Sequence, residues 1–333
     1  MEKVNCAVVG LGWMGRIRVA ALGNSGAARL VAACDLDPEA AASLPEGVRF
    51  STDATEIVTS GDVDAVFVST PDGLHKEPVI AALRAGKYVF CEKPVATTLA
   101  DADEMVNADP GGRLVVGHSL RADSRYLAVH RQASTGVLGP AVHTITRRNW
   151  PVSEGRRQQR QTTLALYLAV HDFDMLQWIV GSPIVEVSGV ASRTPVPGLD
   201  DGANSIVATL RFANGCVGAH ETSWAVPDQA GLDQGDHAFS YVGVKGSAYL
   251  TERDHGVVVY GSGSQFPDAL NGEVFGVQTG MYVNEVERFL ATVREGLPPL
   301  VTGEEARGAL AAALALEESI WTGRPTAVAG VHA

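Results

Sequence analysis

Six residues near the start of the chain, Gly10-Leu11-Gly12-Trp13-Met14-Gly15, set three glycines in the spacing GxGxxG. An apolar run at 4–9 precedes them and a helical pattern follows from Met14, the order a phosphate-binding turn requires. Gly10 permits the tight turn, Gly12 lets backbone N–H groups approach a pyrophosphate, and Gly15 lets helix pack closely on strand. The N-terminus of that helix favours the negative charge. Asp35 stands 20 residues after Gly15, at the end of the next apolar run. A carboxylate there accepts hydrogen bonds from the hydroxyls of an adenosine ribose. The acidic stretch Leu36-Asp37-Pro38-Glu39 that follows would repel a 2′-phosphate, so NAD(H) is the expected cofactor and NADP(H) the alternative. Gly10, Asp35, Ser69-Thr70-Pro71, Glu92-Lys93 and His118 all fall at the carboxyl ends of successive predicted strands. In an open parallel sheet that edge is where ligands bind.

The elements that must hold these residues read as two blocks. Apolar runs at 4–9, 30–34, 65–69, 88–91 and 114–116 alternate with helical stretches at 14–22, 76–85 and 99–108. That alternation predicts a doubly wound α/β domain whose parallel strands are covered on both faces. From there on a long helix is predicted at 164–180, then strands at 185–191, 205–212, 216–223, 238–244, 248–251 and 257–260. Turn-like connections such as Ala213-Asn214-Gly215 and Lys245-Gly246-Ser247 suit antiparallel neighbours. Helices at 281–294 and 304–321 close an α+β domain with a large, open, mostly antiparallel sheet. The expected division is 1–121 and 122–333, with the last helices able to pack back on the first domain. Stretches 151–163 and 226–237 read as loops.

Composition narrows the partners. The chain has 333 residues, 46% apolar and 19% charged, and a formal net charge of −12, which opposes binding to nucleic acid or an anionic membrane. Cys6, Cys34, Cys91 and Cys216 lie far apart, without metal-ligand spacing, and read as buried free thiols; no metal is expected. Only Met1 to Lys3 precede the first apolar run, and the longest helical apolar stretch, 309–316, is too short to span a bilayer. The expectation is a soluble, cytoplasmic protein.

At Cys91-Glu92-Lys93-Pro94 the chain resembles the glucose–fructose oxidoreductase/inositol dehydrogenase (Gfo/Idh/MocA) family. The glycine loop and Thr70-Pro71-Asp72-Gly73-Leu74-His75 support the likeness. Gly139-Pro140, Arg148-Asn149, His171-Asp172-Phe173-Asp174 and Thr302-Gly303-Glu304-Glu305-Ala306-Arg307 extend it over essentially the whole sequence. The resemblance implies an N-terminal Rossmann domain and a C-terminal α/β domain whose open sheet makes a homodimer or homotetramer. It implies NAD(P)-dependent hydride transfer on a sugar, a polyol or a derivative of one, the small-molecule, carbohydrate-like substrate. Within the family the Glu-Lys-Pro lysine lies beside nicotinamide and substrate, and Lys93 takes that place. Removing the proton of a secondary alcohol is assisted by an ammonium or amine near its oxygen. His171 matches the family's helical histidine, and an imidazole titrating near ~6.5 exchanges a proton readily at neutral pH. The dinucleotide would contact Gly10, Gly12, Trp13, Met14, Gly15, Asp35, Ser69, Thr70, Pro71, His75, Glu92 and Lys93. Asn149, Trp150, Arg121 and His237 are substrate candidates.

One departure bears on the chemistry. Many relatives carry Asp four residues before the histidine, whereas this chain has Tyr167, one helical turn from His171 on the same face. A phenol titrating near ~10 is neutral at pH 7 and cannot serve as a charge partner. It can donate to a carbonyl oxygen, accept from an alcohol, or pack as a ring beneath the nicotinamide. Arg156, Arg157 and Arg160 could grip an anionic group or simply form a solvated basic loop. Three functions follow: a sugar or polyol dehydrogenase, a reductase of a nucleotide-linked or otherwise activated keto-sugar, or a regulatory protein that binds NAD(H) without turnover.

Overall fold

The computed structural model describes residues 2–228, 235–251, 259–260, 264–265, 273–274 and 277–331. Two compact units result, Met1–Asp123 with Leu270–Arg307, and Ser124–Ala269 with Gly308–Ala333.

The first unit is built on strands β1 (Val4–Val9), β2 (Ala28–Cys34), β3 (Arg49–Ser51), β4 (Ala65–Val68), β5 (Tyr88–Glu92) and β6 (Leu114–Gly117). Every pairing is parallel and the order is β3-β2-β1-β4-β5-β6, so the chain reverses direction of winding between β1 and β4. Helices α1 (Trp13–Asn24), α2 (Ala54–Val58), α3 (Lys76–Arg84) and α4 (Leu99–Asn107) lie between the strands. All four residues of β4 are fully buried, which explains why the central strands carry no polar alternation. Phe67, Phe90 and Phe289 meet with centroids 5.1–5.6 Å apart, so the helix Met281–Glu295 joins this core. The same helix supplies Glu285 to a buried ion cluster. Arg18, with no exposed surface, donates to Glu92 at 2.7 Å and to Glu285 at 2.8 Å, and lies 4.5 Å over the Phe90 ring.

The second unit holds α5 (Ser124–Ser134), β7 (Ala141–Pro151), α6 (Val152–Gln158), a π-helical turn (Ala165–Ala169) running into α7 (Val170–Val180), and strands β8 (Ile184–Ala191), β9 (Ser205–Phe212), β10 (Val217–Val226), β11 (Asp236–Gly243) and β12 (Ser247–Thr251). A short edge strand, Thr326–Ala327, completes the sheet order β12-β11-β7-β10-β9-β8-edge. Pairing is antiparallel except between β7 and β10. Burial alternates along β9, so one sheet face is covered and the other is open.

Three elements were invisible to periodicity. β7 sits in the middle of the sheet but reads Ala-Val-His-Thr-Ile-Thr-Arg-Arg-Asn-Trp-Pro, too polar to resemble a central strand. α5 carries a single fully buried side chain, Tyr126, and has almost no apolar stripe. α6 begins directly after Pro151 and occupies half of the stretch expected to be a loop. Here tertiary pairing decides the structure where local pattern is weak.

Glu285 is held in its protonated form by burial and by the neighbouring Glu92, with the Arg18 guanidinium opposing; the balance pushes it up to about 7 from 4.5. The folded state therefore keeps a proton that the unfolded chain releases. The stability this confers is complete below about pH 4.5 and is lost as pH rises toward about 7. Glu285→Gln is expected to match the wild type in urea unfolding at about pH 4 and to exceed it by roughly 3 kcal/mol at about pH 8.

Candidate functional site

The glycine turn shows why each glycine is needed. Gly10 has φ +89°, and a Cβ on it would lie 2.6 Å from the Ser69 carbonyl oxygen. A Cβ on Gly15 would sit 1.9 Å from the Gly10 carbonyl oxygen, whereas one on Gly12 meets nothing within 4 Å. Open space therefore lies over Gly12, which caps α1 without any side-chain acceptor for the first amides. Those amides are the donors a phosphate would take. Trp13 is half exposed and meets Tyr282 edge-on at 6.3 Å; Met14 is half-buried beside it.

The Asp35 carboxylate is oriented by the chain itself. Its Oδ2 accepts from the Leu11 amide at 2.6 Å and its Oδ1 from the Asp37 amide at 3.0 Å. Ser69 Oγ and Thr70 Oγ1 are shielded from solvent and have no hydrogen-bond partner among the described residues. An open amide turn, an aimed carboxylate and two unsatisfied hydroxyls along one sheet edge fit a dinucleotide: anion at the helix end, ribose at the acid.

Two expected cofactor residues, His75 and Glu92, are buried. His75 is 1% exposed, with Nδ1 3.0 Å from the Pro94 carbonyl oxygen and Nε2 2.9 Å from that of Thr70. Pro71 leads into the short turn between them. The Glu92 carboxylate is engaged by Arg18. Lys93 is half-buried and is followed by a cis bond to Pro94. Arg121, a substrate candidate, is buried in the first unit, donating to Glu305 at 2.8 Å and to the Leu300 carbonyl at 3.3 Å.

The second unit gathers the remaining candidates on β7, β11 and the 165–180 helix. Asn149 donates through Nδ2 to Glu221 at 2.5 Å, while its buried Oδ1 has no partner among the described residues. Trp150 and His237 lie with ring centroids 5.6 Å apart. The tight Gly235 turn, φ +86°, seats His237 against them; a Cβ there would be 2.3 Å from the Asn149 carbonyl oxygen. Tyr167 lies within the π turn, a feature frequent at functional sites, and leads one turn later to half-buried His171.

Beneath the helix a buried polar cluster fixes its position. Arg148 donates to Asp172 at 2.7 and 3.2 Å and approaches His237 Nδ1 at 3.5 Å. His220 lies against Thr146 at 2.8 Å and is pushed down to about 4 chiefly by burial, so the ring is neutral above that pH.

Glu154 was not singled out from the sequence. The Tyr167 hydroxyl donates to its carboxylate, which also receives Arg157 at 2.6 Å and Gln158 at 3.2 Å. The signal available was Glu154 three and four residues before Arg157 and Gln158, a helical spacing inside a supposed loop. Arg156 pairs with Asp228, so two of the three loop arginines face carboxylates.

A family model described as oxidoreductase family, NAD-binding Rossmann fold, matches residues 4–118, and its companion, the C-terminal alpha/beta domain, matches residues 133–328. Inositol 2-dehydrogenase 2 of Paenarthrobacter aurescens is 34% identical over 228 residues, 64% of this chain and 67% of that protein. Myo-inositol 2-dehydrogenase of Thermotoga maritima is 29% identical over 323 residues, 94% of this chain and 95% of that protein. The crystal structure of myo-inositol dehydrogenase from Lactobacillus casei in complex with NAD(H) and myo-inositol superposes with a TM-score of 0.81. It covers 100% of this chain and 98% of its own at 23% identity, a likeness of fold.

The space over Gly12 separates binding from folding. Gly12→Ala is expected to unfold within about 1 kcal/mol of the wild type yet bind NADH at least about tenfold more weakly by tryptophan fluorescence. Gly15→Ala is expected to lower the melting temperature itself, because its Cβ collides with backbone.

Proposed function

This chain belongs to the Gfo/Idh/MocA oxidoreductase family and is an NAD(H)-dependent dehydrogenase acting on CH–OH groups, and on that premise we propose that its substrate is an inositol-like cyclic polyol. The observation that carries the choice is the character of the second unit's polar groups. They are an amide, imidazoles, an indole and a phenol, suited to a ring of hydroxyls. Arg148, Arg156 and Arg157 are each engaged by a carboxylate, which disfavours a substrate bearing phosphates. Relatives named as inositol dehydrogenases point the same way.

Bound NAD⁺ supplies the hydride acceptor, held by the Gly12 turn, Asp35 and the Ser69 and Thr70 hydroxyls. His171 accepts the proton leaving the substrate hydroxyl, and the Lys93 ammonium steadies the negative charge that grows on that oxygen. Tyr167, its hydroxyl given to Glu154, presents oxygen lone pairs to a neighbouring substrate hydroxyl. Asn149 and His237 orient the ring, with the Trp150 indole against an apolar face. The carboxylate of Asp35, followed by Asp37 and Glu39, selects NAD⁺ over NADP⁺.

The open face of the second sheet takes a second copy of this chain. Cross-strand rows place Ile145 beside Ala219, and Val207 beside Val190 on one side and Glu221 on the other. Ile145, Val190, Val207, Val217 and Tyr249 are all at least half exposed, an apolar area whose burial favours self-association. A cytoplasmic location is supported by four buried cysteines, all free thiols. No described helix is long and apolar enough to cross a membrane.

Purified protein is expected to reduce NAD⁺ with myo-inositol, and Lys93→Met or His171→Leu to lower kcat about 10²–10⁴-fold while NADH still binds. Turnover of a sugar nucleotide in place of free polyols would sink the substrate reading, and NADH binding without any turnover would sink the enzymatic one. Light scattering should show an oligomer that Ile145→Lys with Val207→Lys converts to monomer.

A further inference from the structure

Lys93 stands between two residues whose polar groups are both buried and both tied to distant parts of the first unit. Before it, Glu92 Oε1 accepts from Arg18 Nε at 2.9 Å and Nη2 at 2.7 Å. Arg18 is in turn fixed by Glu285, by the Tyr282 carbonyl at 3.3 Å and by the Phe90 face. After it, the Pro94 carbonyl oxygen faces His75 Nδ1 at 3.0 Å, and the other ring nitrogen faces the Thr70 carbonyl at 2.9 Å. Gly117 leaves room for the Glu92 side of this arrangement, since a Cβ there would lie 3.2 Å from Glu92 Oε2 and 3.0 Å from the Phe90 ring.

Both clamps lie in the interior, where a hydrogen bond is strong and its loss is uncompensated by water. They act on the residues to either side of Lys93, so its backbone has little freedom left. A displacement of about 1 Å at a reacting group costs on the order of 10²-fold in rate.

We propose that Arg18 and His75 are positioning residues for Lys93, one holding the residue before it and the other the residue after it. The inference rests on the reading of Lys93 as a residue that touches the substrate oxygen. It moves His75 and Glu92 from direct cofactor contact to support of the turn that carries the lysine.

The test compares His75→Phe and Arg18→Lys, each alone and combined with Lys93→Met, using NAD⁺ and myo-inositol. Each single change is expected to lower kcat about 10- to 100-fold, leave NADH affinity within about threefold, and speed amide hydrogen exchange in the peptide containing Lys93. In the Lys93→Met background the same changes are expected to alter kcat less than about twofold, because the group they position is gone. Full multiplicative loss in that background, or a fall in NADH affinity parallel to kcat, overturns the proposal. Should Arg18→Lys fail to fold, His75→Phe decides alone. Lys93→Met with wild-type kcat overturns the underlying reading, and that outcome is visible without any second substitution.

Discussion

A guanidinium with no exposed surface is among the more demanding groups a core can contain. Arg18 is tolerated only because Glu92, Glu285 and a main-chain carbonyl surround it and the Phe90 ring lies across its face. Those partners come from β5 and from a helix 267 residues away in sequence. The dinucleotide helix, the strand that leads into Lys93 and the late helix are therefore held to one another through a single side chain. Two carboxylates against one guanidinium leave an excess negative charge, which the interior resolves by favouring a proton on Glu285.

The second unit uses a related device with different chemistry. Arg148 on β7 forks onto Asp172 on α7, anchoring the residue next to His171, and His220 lies neutral against the same cluster. Here acid and base balance one to one. Helix and sheet are locked by polar contacts, so the half-buried side chains above them present a fixed array without relying on apolar packing alone.

What could be read from the sequence was whatever depends on neighbours a few residues away. The glycine turn, Asp35 and the central strands of the first sheet follow from local spacing and uninterrupted apolar runs. The family likeness supplied Lys93 and His171. What could not be read depends on distant pairing. β7 is a strand because β10 and β11 flank it, and its own residues are those of an exposed segment. Arg18 reads as one more helical arginine until Glu92 and Glu285 are brought to it. Glu154 lies only 13 residues from Tyr167, yet their meeting requires α6 to fold back from β7, which no spacing rule encodes.

The parallel pairing of β7 with β10 shapes how the second unit can be assembled. Both neighbours of β7 are encoded later than β7 itself; Thr146, for example, waits 74 residues for His220. During synthesis the strand leaves the ribosome as a ribbon bare along both edges, in the state most open to wrong partners. Its composition answers that exposure. His143, Arg147 and Arg148 interrupt the apolar residues with charge and bulk, so the features that hide β7 from pattern reading also discourage it from pairing with other nascent chains.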